Sequence, residues 1–251
     1  MSMDASTIPR WGLPLTPPRP RVLVEWLSTR DAEDWLPAPA GDGRPVMLIP
    51  GFMAGDGSLT RMAIWLRTGG FVLARSGIRW NSGCMEPTVE AVERRLERAV
   101  QQTGKRALIV GQSRGGCIGR SLAVLRPDLV DVLVTLGSPL RDQLAVHPRV
   151  WPSILTVGTL GTLGVPGMFS LSCLGGECCA RTREAMTGPF PDDIQFVSIY
   201  SRSDEIVRWE ACLDPAATQM EVDVSHIGMG MAREVWRAVA DELGQTVPAT
   251  V

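Results

Sequence analysis

Short apolar runs and stretches of helical periodicity alternate along this chain from residue 46 onward. The apolar runs have the length of buried strands and are bounded by turn residues. They are VMLIP (46–50), FVLA (71–74), ALIV (107–110), VDVLVTLG (130–137), IQFVSIYS (194–201) and the looser MEVDV (220–224). Helical spacing of apolar residues occurs at 58–67, 88–102, 114–125 and 231–243. This alternation predicts an α/β fold, a mostly parallel sheet flanked by helices.

The same pattern divides the chain into an arm and one domain. Residues 1–43 are rich in proline and contain one short apolar helix candidate at 21–28, so we expect an N-terminal arm. Residues 44–251 hold all the predicted strands and are numerous enough to bury a sizeable core. We therefore predict a single α/β domain over 44–251.

One long uncharged stretch interrupts the alternation. Residues 150–176 contain no Asp, Glu, Lys or Arg and are long enough to cross a bilayer. Glycine at 158, 161, 164 and 167 and proline at 152 and 166 would break such a helix and keep it only modestly apolar. A transmembrane span is therefore not expected. We interpret the run as part of an insertion, about residues 141–190, that follows the strand at 130–137.

The charge of the chain is small and evenly spread. The formal net charge is -2, and Lys105 is the single lysine among 25 scattered basic residues. Without a basic patch, no nucleic-acid partner and no anionic membrane partner is expected. No secretory signal is visible at the N-terminus, so a cytoplasmic location is the expectation. No cofactor is predicted, and the composition indicates no particular oligomeric state.

The six cysteines do not have the spacing of a familiar metal site. Cys173, Cys178, Cys179 and Cys212 lack both a C-x2-C pair and a nearby histidine, so no metal ion is predicted. Two alternatives stay open for them: a disulfide from Cys178 or Cys179 to Cys212, or free buried thiols. We expect Cys117 to pack in the core.

The strongest chemical signal is GQSRGG (111–116), which contains G-x-S-x-G centred on Ser113. It lies between the predicted strand ALIV and the helix at 114–125, so Ser113 must occupy a sharp strand-to-helix turn. Such a turn presents a hydroxyl above the sheet, beside a helix N-terminus that favours developing negative charge. The pattern predicts a nucleophilic serine. The alternative is a glycine-rich turn with an incidental serine.

A nucleophilic serine needs a base, and histidine has the pKa for that role near neutral pH. The chain has two histidines. His226 follows the last predicted strand, where catalytic groups of a parallel sheet gather, and His147 lies at the start of the insertion. We predict that His226 is the base and that His147 is a surface or insertion residue.

The base in turn needs a carboxylate that orients its ring. Asp204 follows the strand IQFVSIYS in the segment SRSDEIV and is the predicted partner. Glu205, Asp223 and the pair Asp192 and Asp193 are the alternatives, and a solvated cap is the other reading of Asp204. The resulting order of serine, aspartate and histidine is the order associated with α/β-hydrolases.

Residues 44–244 resemble a serine α/β-hydrolase of the esterase and lipase type. Besides GQSRGG, the resemblance depends on IPGFMAGDGSL (49–59), TLGSP (135–139), SRSDEIV and SHIGM. It implies an oxyanion hole formed by the backbone N–H groups of Phe52 and Arg114. Pro50 and Gln112 stand where many lipases have histidine, which weakens any transfer of substrate preference. For the Arg114 side chain, a structural salt bridge and an anionic substrate group are the two readings.

In that family, a segment inserted after the sixth strand commonly forms a lid, and TLGSP ends the equivalent strand here. The resemblance therefore implies a flexible apolar lid whose side chains line an acyl pocket, with a packing extension of the core as the alternative. The candidate lining residues are Trp151, Leu155, Leu160, Met168 and Phe169, with Ile154, Leu163 and Leu171 beside them.

The expected activity is hydrolysis of small esters with a hydrophobic acyl or alcohol part through an acyl-enzyme intermediate. A thioesterase or acyltransferase would use the same three side chains. A hydrolase-fold protein that only binds its ligand is the alternative outside enzymes. Retention of all three side chains in the family's order argues against such a binding protein, and the serine at 113 excludes the aspartate nucleophile of dehalogenases.

Overall fold

A computed structural model describes residues 20–29 and 35–244. Its sheet has six strands in the order β2-β1-β3-β4-β5-β6, and every neighbouring pair runs parallel. The strands are β1 Pro45–Ile49, β2 Val72–Arg75, β3 Ala107–Gln112, β4 Val130–Leu136, β5 Gln195–Tyr200 and β6 Thr218–Glu221. The predicted parallel α/β architecture is confirmed. Since all strands point the same way, their carboxyl ends meet along one edge.

Within the described residues, a helix occupies each of the five predicted positions, and two further helices lie between β4 and β5, where none was predicted. The helices are α1 Pro20–Leu27, α2 Thr60–Thr68, α3 Met85–Thr103, α4 Arg114–Leu125, α5 Trp151–Thr162, α6 Ala180–Thr187 and α7 Arg233–Gly244. α1 confirms the predicted helix at 21–28, whereas residues 1–19 and 30–34 of the predicted arm lie outside the described residues. α3 begins three residues before the predicted start because a helix accepts proline, here Pro87, in its first turn.

The last strand differs from the prediction. β6 ends at Glu221, which pairs with Tyr200 of β5, whereas the sequence pattern predicts a strand over 220–224. Val222 and Val224 are still buried, because the chain passes over the core after it leaves the sheet. This early exit brings the loop that carries His226 back across the carboxyl ends of the strands.

Apolar layers cover both faces of the sheet. On one face, Trp65 of α2 and Trp236 of α7 are fully buried and stack with ring centroids 5.0 Å apart. On the other face, Leu96 of α3 and Ile118 of α4 pack on the central strands. β1 and β3 are buried along their entire lengths, so the central strands give the functional edge a rigid base.

The insertion lies between β4 and β5. It comprises α5, α6 and three short 3-10 turns, Pro148–Val150, Leu171–Leu174 and Glu177–Cys179. α6 packs on α4, where the buried guanidinium of Arg120 donates to the carbonyl of Ala185 at 2.8 Å. Among the helices of the described residues, none combines the length and the apolar character that a membrane span requires.

Of the two alternatives left open for the cysteines, the structure has the free thiols. All six are unbridged, and the Sγ atom of Cys179 lies 3.3 Å from that of Cys84. Cys212 is buried in a separate apolar cluster with Val146 and Val207, where burial raises the pKa of its thiol. A bridge from Cys178 or Cys179 to Cys212 is therefore wrong for this structure. Cys117 is buried in the core, as predicted.

Candidate active site

Ser113 occupies the turn between β3 and α4. Its backbone has φ +53° and ψ -124°, a conformation that is strained for a residue with a side chain. The Ser113 N–H donates to the carbonyl of Leu136 at 2.8 Å, and the Gly116 N–H donates to the carbonyl of Ser113 at 2.9 Å. These bonds hold the strained turn from both sides. The turn is a sharp strand-to-helix elbow, with the serine at the N-terminal end of α4.

The flanking glycines allow the close approach that this turn requires. A Cβ atom on Gly111 would lie 2.5 Å from the Cα atom of Gly116. A Cβ atom on Gly115 would collide with the carbonyl oxygen of Ile49 in β1. α4 therefore packs directly against the ends of β1 and β3, which explains why the motif needs glycine on both sides of the serine.

His226 and Asp204 form a buried pair at the same edge of the sheet. The Nδ1 atom of His226 is 2.6 Å from Oδ2 of Asp204. The other carboxylate oxygen of Asp204 accepts the backbone N–H groups of Ile206 and Val207, each at 2.8 Å. Both oxygens are thus engaged, so the carboxylate is fixed beside the imidazole ring. A carboxylate in this position favours the tautomer with the proton on Nδ1, which leaves Nε2 able to accept one.

Gly137, the glycine of TLGSP, supports this pair. Its φ is +54°, and a Cβ atom there would lie 3.1 Å from Oδ2 of Asp204 and 3.3 Å from Nδ1 of His226. The Gly137 N–H donates to the carbonyl of Ile199 in β5 at 2.9 Å. The end of β4 thus passes directly beneath the histidine and aspartate, at a distance that a side chain would disturb.

Two of the other carboxylates weighed in the sequence, Asp223 and Asp193, lie elsewhere. Asp223 is exposed and bonds Ser203 and Arg21, and Asp193 is exposed and pairs with Arg106. The structure therefore pairs Asp204 with His226 at the carboxyl edge of the sheet, where Ser113 lies at the end of β3. His147 lies outside this group, and its backbone N–H donates to the carbonyl of Ile206.

Two supporting residues have no clear signal in the sequence. The Gln112 side chain donates to the backbone carbonyl of His226 at 3.0 Å and is buried. The carboxylate of Glu25, in α1, accepts the backbone N–H of Ser225 at 2.6 Å and also the Ser225 hydroxyl. Gln112 is adjacent to the serine and could have been suspected. Glu25 lies 200 residues away in sequence, so only the fold reveals its role.

The loop after β1 lies against the elbow. A Cβ atom on Gly51 would be 3.2 Å from the Cβ atom of Ser113. The buried side chain of Asn81 donates to the carbonyl of Pro50 at 2.7 Å and thereby fixes the loop. Within the described residues, the backbone N–H groups of Phe52 and Arg114 donate to no protein acceptor. Both groups are free to donate to a bound oxygen.

The Arg114 side chain forms no salt bridge within the described residues, so the first of its two readings is wrong. Its guanidinium donates to the carbonyl of Gly83 and lies 5.7 Å from the ring centroid of Phe169. Burial lowers the pKa of this guanidinium. Arg114 and Phe169 lie on the wall of a cavity of about 220 Å³, together with Met85, Leu144, Cys173 and Leu174. The side chains of Ser113 and His226 do not line this cavity.

The insertion residues proposed as pocket lining are distributed unevenly. Phe169 is buried, lines the cavity and packs against Phe52, with ring centroids 6.2 Å apart. Trp151 and Met168 are half-buried in the same apolar cluster. Leu155 is 48% exposed on the outer face of α5, and Leu160 is half-buried. Of these residues, Phe169 is the one that the structure places beside the candidate site.

Comparisons with known proteins support the architecture. No family model and no curated protein matches the sequence. Among solved structures, the mature lipase BlEst2 of Bacillus licheniformis aligns with a TM-score of 0.61 and 14% identity, over 82% of this chain and 94% of that one. The monoacylglycerol lipase of Paleococcus ferrophilus aligns with a TM-score of 0.54 and 16% identity, over 83% and 96%.

A third solved structure is described as an α/β hydrolase enzyme, MGS-MChE2, from the metagenome of lagoon sediments of Mar Chica, Morocco. It aligns with a TM-score of 0.54 and 20% identity, over 82% of this chain and 92% of that one. At such low identity, these matches concern the path of the backbone. Together with the parallel sheet and the elbow after β3, they show that this chain has the α/β-hydrolase fold.

Proposed function

We propose that this protein is a serine hydrolase that cleaves carboxylic esters with a hydrophobic acyl or alcohol part. The observation that carries the proposal is the convergence of three elements at one edge. Ser113 follows β3 on a strained turn, Asp204 follows β5, and His226 follows β6 with its Nδ1 atom 2.6 Å from the Asp204 carboxylate. The lipase and monoacylglycerol lipase named above share this fold and act as a second support.

In the proposed mechanism, the Oγ atom of Ser113 attacks the ester carbonyl carbon while Nε2 of His226 takes the hydroxyl proton. The resulting imidazolium is stabilised by Asp204. It then protonates the leaving alcohol as the carbon–oxygen bond of the ester breaks, which leaves an acyl group on Ser113. Water attacks this acyl-enzyme in the second half of the reaction, with His226 again as the base, and the carboxylic acid is released.

The oxyanion of each tetrahedral intermediate is assigned to the backbone N–H groups of Phe52 and Arg114. Neither group has a protein acceptor within the described residues, and the Gly51 turn abuts Ser113. Arg114 is also the first residue of α4, so the helix N-terminus adds a favourable field at this point. Preorganised donors of this kind stabilise the transition state because they need no reorientation during the reaction.

We assign the insertion to a lid over the acyl-binding side of the site. The Phe169 N–H donates to the carbonyl of Ser82 at 2.7 Å, and the Phe169 ring touches Phe52 in the proposed oxyanion loop. The opposite face of the insertion exposes large apolar side chains, including Leu155 and Leu163, the latter 76% exposed. Exposed apolar surface on an inserted segment fits contact with a hydrophobic substrate.

The experiment that tests the proposal is release of p-nitrophenol from acetate, butyrate, octanoate and palmitate esters by the full chain. We expect wild-type activity and a loss of about 10⁴-fold or more in Ser113→Ala. Ser153→Ala, at an exposed position on α5, is the matched control and should retain full activity. A fluorophosphonate probe should label wild type at Ser113, as read by peptide mass spectrometry.

Two results would contradict the proposal. One is a folded wild-type protein that hydrolyses none of the four esters and resists the probe. The other is a Ser113→Ala variant that keeps its activity, since the serine would then not be the nucleophile.

A further inference from the structure

Four cysteine thiols converge at one point outside the proposed catalytic group. The Sγ atoms of Cys84, Cys173, Cys178 and Cys179 all lie within 4.8 Å of one another. Cys84 directly precedes α3, whereas the other three belong to the returning part of the insertion. The sequence pattern does not reveal this group, because Cys84 is 95 residues from Cys179 and no C-x2-C pair is present.

The separations of the sulfur atoms match a tetrahedral metal site. Zinc binds thiolates at about 2.3 Å, so four thiolates around one ion stand roughly 3.8 Å apart. Here the Sγ atoms of Cys178 and Cys179 are 3.8 Å apart, and those of Cys84 and Cys179 are 3.3 Å apart. These distances exceed the S–S bond of about 2.05 Å in a disulfide. The arrangement of the four sulfur atoms is closer to the corners of a tetrahedron around one ion than to two disulfide bonds.

The backbone around the thiols is held in place. The Gly176 N–H donates to the carbonyl of Ser172 at 2.7 Å, and a Cβ atom on Gly176 would collide with that carbonyl oxygen. The Arg183 side chain donates to the carbonyl of Gly176 at 3.0 Å. On the other segment, the Thr88 hydroxyl donates to the carbonyl of Cys84 at 2.7 Å. Both segments therefore present their thiols from fixed turns.

A buried arginine beside the thiols is a second, independent observation. The Arg114 guanidinium lies beside the cluster and donates to the carbonyl of Gly83, the neighbour of Cys84. Its Nε atom is buried without a hydrogen-bond partner, and the ion pairs of the described residues do not include Arg114. A site with four thiolates and one divalent ion carries a net charge of -2. Such a site gives this arginine the negative partner that the protein itself does not provide.

We propose that Cys84, Cys173, Cys178 and Cys179 together bind one Zn²⁺ ion in a closed structural site. Binding releases the four thiol protons to solvent and forms four Zn–S bonds, with no change of oxidation state. Soft thiolate ligands favour zinc over magnesium or calcium, which prefer oxygen. The ion connects residues 173–179 to the start of α3, whereas the part of the insertion that contains α5 has no such connection. The proposal does not depend on ester hydrolysis.

The first test is the zinc content of the full chain, purified without chelators and measured by plasma mass spectrometry. We expect close to one zinc per wild-type chain and a large loss in Cys84→Ser and Cys179→Ser. Cys212→Ala removes a buried thiol outside the cluster and should leave the zinc content unchanged. Replacement of zinc by Co²⁺ should give the intense visible absorption of a tetrahedral cobalt–thiolate centre.

Cys178→Ser keeps the test valid if the buried variants do not fold. Cys178 is exposed, so this variant should fold and have the circular dichroism spectrum of wild type. Its affinity for zinc, measured by competition with a chromophoric chelator, should nevertheless be lower than that of wild type. The proposal is overturned if the fully reduced wild-type chain takes up neither zinc nor cobalt. It is also overturned if intact mass shows disulfides within the cluster, or if all three cluster variants keep their zinc.

Discussion

The carboxyl edge of the sheet and the insertion between β4 and β5 meet at Phe52 and Phe169, but they are held in different ways. At the edge, buried polar groups have specific partners: Asp204 accepts three hydrogen bonds, from His226 and two backbone N–H groups. In the insertion, α5 is held mainly by apolar burial of Ile154 and Val157. Its outer face is exposed and apolar.

The two kinds of contact suit different tasks, since hydrogen bonds fix side-chain positions and apolar packing allows a segment to shift. The proton transfer proposed for His226 requires a ring position held to within about 0.5 Å, and directional hydrogen bonds from several chain segments provide that constraint. A segment that covers ester chains of different lengths needs apolar contact without a single fixed geometry. Apolar packing is non-directional, so such a segment shifts at lower cost. Substitutions at the edge, in the insertion and on the surface should therefore have different effects.

Among substitutions outside the three proposed catalytic side chains, the largest effect is expected from Gly137→Ala, compared with Gly164→Ala. Both glycines have positive φ, +54° and +88°, so each alanine should cost about 1–2 kcal/mol of unfolding free energy. At Gly137 the new methyl group would also press on Asp204 and His226, whereas at Gly164 it would meet nothing within 4 Å. We expect kcat to fall about 100-fold or more in Gly137→Ala alone.

The measurements are kcat for p-nitrophenyl butyrate and urea unfolding of both variants. Equal losses of kcat in the two variants would contradict the view that Gly137 acts through the histidine and aspartate.

The next largest effect is expected from Glu25→Ala, compared with Asp223→Ala; both carboxylates form ion pairs with Arg21. Glu25 is buried and accepts the Ser225 N–H beside His226, whereas the Asp223 side chain is 77% exposed. Glu25→Ala leaves buried donors unsatisfied and should lower the free energy of unfolding by about 2–3 kcal/mol, with a lower kcat. Asp223→Ala should cost less than about 1 kcal/mol. Urea unfolding and steady-state kinetics distinguish these outcomes, and a smaller effect for Glu25 than for Asp223 would refute the role of α1.

The smallest effects are expected within the insertion. Phe169→Leu removes the ring that contacts Phe52 and should change the ratio of kcat/KM for octanoate and acetate esters by about 10-fold. Leu155→Ser, on the exposed face of α5, should change stability by no more than about 0.5 kcal/mol and leave that ratio unchanged. An unchanged ratio in Phe169→Leu would speak against the insertion as part of the acyl-binding side.

Much of the fold was predictable because its signals are local. The apolar runs gave the positions of the strands, with β6 the exception, since Val222 and Val224 are buried without belonging to the sheet. Ser113 was predictable because a strand, a glycine-flanked serine and a helix occupy consecutive positions. The contacts of the Arg114 side chain were not predictable, because they depend on residues that only the folded chain brings next to it.

The sequence by itself determined the parallel α/β alternation and the order of Ser113, Asp204 and His226 along the chain. Periodicity and the position of strand ends depend on residues that are neighbours in the chain, so both can be read from one sequence. Tertiary structure alone placed Glu25 beside Ser225 and Cys84 beside Cys179, over separations of 200 and 95 residues. Such pairings depend on how the helices dock on the sheet and on how the insertion returns to it, and no local pattern of side chains encodes either.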